Sequence, residues 1–242
     1  MQWDVINRAL EKWRKELRPT TGVRQSQVSP KEKNPHSPFP TPLSLPSVTT
    51  VAEYYSNDPW AVLVSTILSL RTKDEVTLEA SKRLLAEAPC PEKLAAMRED
   101  KIARLAYPAG FYRTKAKSLK KIAAILLNQY DGKIPADMDS LLALPGVGRK
   151  TANLVLIEAF DLPGICVDIH VHRISNRCGW LCSKTPEETE MILRKILPKK
   201  YWKGLNAVLV LYGQNLCRPV SPYCSLCVIK AHCRQVGVER NR

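Results

Sequence analysis

The sequence predicts an all-α protein, and three observations carry that reading. From Asn57 onward, apolar residues recur at helical spacing in segment after segment. Strand-type alternation is almost absent; VLVLY is the main ambiguous run, and it sits inside a longer helical pattern. The links between segments are short, which favours neighbouring helices packed on one another.

Asp4 to Leu17 has helical spacing, with Val5, Ala9 and Trp13 four apart and Ile6, Leu10 and Leu17 widening the stripe. Arg18 to Ser47 then holds seven prolines with much Ser, Thr and Lys, and reads as an extended linker or surface loop. A segment wrapped on the surface by Phe39, Leu43 and Leu45 is the other reading. Asp58-Pro59 is a cap followed by a first helical residue, and WAVLVSTILSL behind it is apolar nearly all round, as a core helix is. DEVTLEASKRLLAEA is amphipathic, CPEKLAAM and EDKIARLAY are short helices, and TKAKSLKKIAAILLNQY is a long helix with a basic face. MDSLLAL leads to a glycine turn and its helix. VDIHVHRISNRCGW, TPEETEMILRKIL and YWKGLNAVLVLYGQNLC complete the set, the second opened by Thr185 and Pro186 as cap and first residue.

The 242 residues suffice for one large domain or two small ones. A net charge of +14 predicts a polyanionic partner, nucleic acid before an anionic membrane surface; the plain alternative is charge that only aids solubility. No apolar run is long enough to span a bilayer, and MQWDVINRALEKWRKEL has neither the apolar core nor the cleavage site of a secretory signal. A soluble, intracellular (cytoplasmic, prokaryotic-type) monomer without membrane contact is expected. Cys90, Cys166, Cys178 and Cys182 are scattered, whereas Cys217, Cys224, Cys227 and Cys233 crowd into 17 residues. In a reducing compartment a crowded set reads as metal binding.

In LPGVGRKTANLVL, Pro145, Gly146 and Gly148 form a tight turn before a helix. Backbone N–H groups at such a helix start suit a phosphate and read no base, and the glycines let another backbone come close. Gly146, Val147, Gly148 and Arg149 are thus candidate DNA contacts, against a plain helix–turn–helix connection. Lys150 falls in the first turn, at the positive end of the helix dipole, where a cation is disfavoured. A lysine amine is a nucleophile only when neutral, so that position, basic neighbours and a closed pocket would each favour the reactive form. The cysteine spacing C-x6-C-x2-C-x5-C fits either a four-thiolate zinc site or a four-iron four-sulfur cube.

LPGVGRKTANLVL resembles the helix–hairpin–helix of the endonuclease III-type DNA glycosylases. VDIHVHRISNR resembles the family's next motif, and the C-terminal cysteines resemble its iron–sulfur loop in every interval. The resemblance runs from about Asn57 to Cys233. It implies a base-excision repair enzyme, both glycosylase and abasic-site lyase, acting on damaged double-stranded DNA, by default at oxidised pyrimidines. Lys150 would attack C1′ and form a Schiff base, and Asp168, 18 residues on, would stabilise the sugar's positive charge and accept the lysine's proton. Asp168 also reads as the cap of IHVHRISNR, and one residue can do both. His170 and His172, on different helix faces, are no metal pair; one reads as a packing or hydrogen-bonding residue and the other as a phosphate contact.

The resemblance also implies the cube. Its expected role is a structural staple for a small loop-rich tail, against a redox role, and the stiff RPVSPY loop would bring Arg218 to the DNA backbone. Enzymes working on a base take it out of the stack, and side chains fill the hole. Where the family has glutamine and leucine fillers, this chain has Arg71 and Phe111, which puts the exact substrate and opposite base in question. Two helical lobes are expected: 51–162 with the hairpin, and 1–50 joined to 163–242 with the cluster. The alternatives are a monofunctional mismatch or adenine-type glycosylase and a non-catalytic helix–hairpin–helix DNA-binding module. Lys150 speaks against the first and Asp168 against the second.

Overall fold

A computed structural model describes residues 2–16 and 46–242. The linker or wrapped segment read over Arg18 to Ser47 lies outside the described residues up to Leu45; its last residue, Ser47, already begins a helix. Among the described residues every regular element is helical, as the periodicity predicts. The chain divides into two compact units, Leu45–Cys166 and Met1–Ser44 with Val167–Arg242.

The continuous unit contains α2 (Ser47–Tyr54), α3 (Pro59–Ser69), α4 (Asp74–Glu87), α5 (Pro91–Ala96), α6 (Glu99–Ala106), α7 (Tyr112–Gln129), α8 (Met138–Leu142) and α9 (Arg149–Phe160). Helix α3 is its hub, packed on α2, α4, α7 and α9. Every residue from Trp60 to Leu68 is buried, which explains why the sequence lacks a polar face there. Asp58 starts the helix by accepting from the Ala61 N–H at 2.8 Å, with Pro59 inside the first turn. Helix α2 escaped the sequence reading, because SVTTVAEY is short and rich in β-branched residues. Packing stabilises it instead: Val48, Val51 and Ala52 are buried, and Ser47 donates through N and Oγ to Asp74 Oδ1 at 3.1 and 2.6 Å.

The segment after α9 stays with this unit as far as Cys166. A Cβ on Gly164 would lie 2.9 Å from Asn153 Oδ1 and 3.1 Å from Ile157, so glycine lets the chain press against α9, and Ile165 and Cys166 are buried next to it.

The second unit joins α1 (Trp3–Glu16) to α10 (Ile169–Arg177), α11 (Pro186–Ile196) and α12 (Trp202–Asn215), followed by the cysteine loop. Helix α1 buries Trp3, Ile6, Leu10 and Trp13. Trp3 meets Trp180 edge-on at 5.1 Å, and Trp13 meets Tyr212 at 4.8 Å. VLVLY lies within α12, so the helical pattern around it decides. Thr185 caps α11 by accepting from Glu188 N at 3.2 Å. Among the described residues no helix is long and apolar enough to cross a membrane.

Candidate active site and nucleic-acid interface

Helices α8 and α9 form the hairpin. Asp137 caps α8 by accepting from Ser140 N at 2.9 Å, whereas Gly148 at the start of α9 supplies no side-chain cap. The turn is held from inside: Leu141 and Leu144 are buried, and so is Val147, whose N–H donates to Leu144 O at 3.1 Å. Val147 is therefore an anchor of the turn; neither its side chain nor its N–H faces outward as a DNA contact. Gly146 has φ +82, a conformation glycine adopts without strain, and a Cβ there would meet Ser118 Oγ at 3.3 Å. At Gly148 a Cβ would meet no atom of the protein within 4 Å, so the surface is open in front of it. The N–H groups of Gly146, Gly148 and Lys150 donate to no backbone carbonyl among the described residues. They are left for an outside acceptor, at the positive end of a 12-residue helix.

Lys150 is the second residue of α9 and its side chain is exposed. Beneath it, the Cys166 thiol donates to Lys150 O at 3.8 Å.

Asp168 lies in the other unit, as the N-cap of α10. Its Oδ1 accepts from His170 N and Val171 N, both at 2.9 Å. Oδ2 takes part in neither bond, so the cap fixes the carboxylate's orientation and leaves one oxygen for chemistry. Both histidines beside it have a neighbour at Nδ1. His172 Nδ1 lies 2.6 Å from Thr189 Oγ1, and His170 Nδ1 lies 3.1 Å from Arg173 Nη2.

Arg71 and Phe111, 40 positions apart, come together. Both are exposed, both have positive φ (52° and 56°), and the Arg71 guanidinium sits 5.4 Å from the centre of the Phe111 ring. Arg71 is thus no cap of its own turn but half of a protruding pair.

Cys217, Cys224, Cys227 and Cys233 line one small cavity of about 20 Å³, together with Arg177, Cys178 and Tyr212. Donors already point at the sulfurs. Tyr212 Oη is 3.1 Å from Cys227 Sγ, Arg177 Nη1 donates to Cys217 Sγ at 3.4 Å, and Gln235 N donates to Cys233 Sγ at 3.4 Å. A hydrogen bond from the Cys178 thiol pulls Cys233 down to about 6, and that contact together with burial pushes Cys178 up. Burial likewise raises Cys224 and Cys227. Arg218 is half-buried in the free protein. Its Nε donates back to Gln214 O at 3.3 Å and its guanidinium lies 5.8 Å from the Tyr223 ring, so it braces the loop, and Val220 (83% exposed) is the residue that projects.

Two residues the sequence reading did not single out complete this end. Arg177, 8% exposed, donates to Arg218 O at 2.6 Å and Pro219 O at 3.0 Å. Arg173 donates to Gly213 O at 3.2 Å and Cys217 O at 2.9 Å. Their spacing of four on α10 was the available signal, since it puts both on one helix face.

A helix–hairpin–helix with an uncapped, lysine-bearing helix start, a helix-capping aspartate and a four-cysteine loop defines a class of helical DNA-repair enzymes. The model of the HhH-GPD superfamily of base excision DNA repair proteins matches residues 64–199. Endonuclease III of Thermotoga maritima is 46% identical over 190 residues, covering 76% of this chain and 89% of that one. Endonuclease III-like protein 1 of Mus musculus is 46% identical over 177 residues, 72% of this chain and 59% of that one. Among solved structures, a trapped endonuclease III–DNA covalent intermediate aligns with TM-score 0.70 at 32% identity, covering 78% of this chain and 93% of that one. The chain belongs to the endonuclease III family of the HhH-GPD superfamily.

Proposed function

We propose that this base-excision repair enzyme, a DNA glycosylase and abasic-site lyase, removes oxidised pyrimidines and acts through Lys150 and Asp168. The observation that carries the reading is the start of α9, where unpartnered backbone N–H groups and Lys150 share one turn. A DNA phosphate bound by those N–H groups fixes the hairpin on the backbone without reading sequence. The neutral Lys150 amine attacks C1′ of the damaged nucleoside, and the base leaves with the electron pair of the glycosidic bond. Asp168 Oδ2 offsets the positive charge building on the sugar and accepts the lysine's proton. The resulting Schiff base acidifies C2′; loss of that proton expels the 3′ phosphate, and water then frees the lysine.

The four cysteines fit an iron–sulfur cube. They surround one cavity, and Tyr212, Arg177 and a backbone N–H already supply donors to thiolate sulfur, as outer-shell groups do in such sites. Cys217, Cys224, Cys227 and Cys233 would hold the cube, whose contribution is to staple a short loop-rich tail.

The test is borohydride trapping on duplex DNA bearing one thymine glycol, with Lys150→Gln as control. A covalent protein–DNA band with the wild type alone supports both nucleophile and substrate class. A band on a preformed abasic site but not on thymine glycol leaves the lyase and overturns the base specificity. No band on either overturns the lysine chemistry.

A further inference from the structure

The protruding pair of Arg71 and Phe111 rests on a buried cation that the proposed chemistry does not use. Lys115, in the first turn of α7, is only 6% exposed and has no carboxylate partner among the described residues. Its Nζ donates to Leu68 O at 2.8 Å, Leu70 O at 2.5 Å and Thr72 Oγ1 at 2.8 Å. The two carbonyls belong to the C-terminal end of α3, where carbonyls lack helical partners and the helix dipole favours a cation. Burial pulls Lys115 down to about 8, while three oxygens around it favour the ammonium, so it is charged at neutral pH.

These bonds join two loops. Thr72 follows Arg71, and its Oγ1 also accepts from Gly110 N at 3.0 Å, one residue before Phe111. The loops touch so closely that a Cβ on Gly110 would lie 2.4 Å from Arg71 O. Arg71 and Phe111 each sit in the left-handed region, which costs a side-chain-bearing residue about 1 kcal/mol or more and persists only where neighbours impose it.

We propose that Lys115 is a positioning residue, clamping the turn after α3 to the loop before α7 so that Arg71 and Phe111 enter the duplex as one preassembled wedge. The proposal rests on the reading that this pair fills the space of the extruded base. A guanidinium stacked on a ring offers a flat, cationic face to the base left on the other strand, with no ordering of either side chain left to do on binding. Two separately mobile fillers would each lose rotamer freedom at that moment.

The test compares excision of thymine glycol from a duplex with borohydride trapping at an abasic site in single-stranded DNA. The second substrate has no paired base to extrude. Lys115→Met keeps the stem and removes the donors; Thr72→Val removes one acceptor and the link to Gly110, and keeps the comparison available if the first variant folds poorly. Duplex excision is expected to fall about tenfold in Lys115→Met, with trapping on the single strand within about twofold of wild type, as the loss of charged hydrogen bonds would give. Equal losses on both substrates in both variants, or no loss in either, overturn the clamp. Arg71→Ala and Phe111→Ala separate the two failures. If they slow duplex excision and Lys115→Met does not, the clamp fails alone; if they too leave it unchanged, the wedge reading fails.

Discussion

At the scale of single residues, the proposed function gives Asp168 two jobs on two oxygens, and substitution can separate them. Asparagine keeps an Oδ1 that can accept from His170 N and Val171 N, so Asp168→Asn should melt within about 0.5 kcal/mol of the wild type. It removes the negative charge proposed to face the sugar, and excision should fall by about a hundredfold or more. Asp168→Ala loses the cap as well and should cost about 1 kcal/mol of stability on top of the same rate loss. A thermal melt and a single-turnover rate for each variant check this; an active Asp168→Asn would mean that the residue is only a cap. Lys150 and Asp168 were legible because their position at a helix start is written in the neighbouring residues. Lys115 was not. In TKAKSLKK it is one of four lysines on a helix with a basic face, and only the packing of α7 against the end of α3 picks it out as buried. Val147 went the other way: its neighbours suggest a DNA contact, but burial turns its side chain inward.

At the scale of elements, α10 joins chemistry to scaffold. Its first end is the Asp168 cap; its last residue, Arg177, holds the cysteine loop by two carbonyls and one sulfur. Arg173 one turn earlier ties the same helix to the end of α12. Gly213 makes that approach possible, since a Cβ there would lie 2.4 Å from His170 Nδ1. The loop and the helix are thus tied together, and the helix sets where the carboxylate lies. Arg177→Met should strand buried carbonyl groups and cost about 3 kcal/mol, read as a lower urea midpoint with an unchanged slope. Iron and acid-labile sulfide per chain should fall with it. A variant with full iron and wild-type midpoint would show that the loop holds itself. Sequence periodicity located α10 and most other helices, because one stripe of apolar residues is enough to mark an amphipathic helix. It passed over α2, whose β-branched residues are helical only because neighbours bury them.

At the scale of the whole molecule, the beginning of the chain supports its end. Trp13 packs edge-on against Tyr212, and Tyr212 in turn places its hydroxyl 3.1 Å from Cys227 Sγ. Nearly two hundred residues separate the two rings. No sequence pattern announces such a pairing: the apolar stripe of α1 shows that it is buried, but not on what. Burial drives the Tyr212 hydroxyl upward from its ordinary range, so it stays protonated and able to donate to sulfur at any working pH. If α1 is part of this unit's core, Trp13→Ala opens a cavity against Tyr212 and should cost about 3–5 kcal/mol. The loss should reach the cysteine loop, so that purified Trp13→Ala carries less iron per chain and sheds it faster under a chelator. Lys12→Ala is the control on the same helix, since Lys12 is exposed and its pair with Glu16 spans 3.8 Å at the surface. Equal iron retention in the two variants would make α1 an appendage of the fold. Loss in Trp13→Ala alone would show that the proposed cluster depends on a helix laid down at the opposite end of the chain.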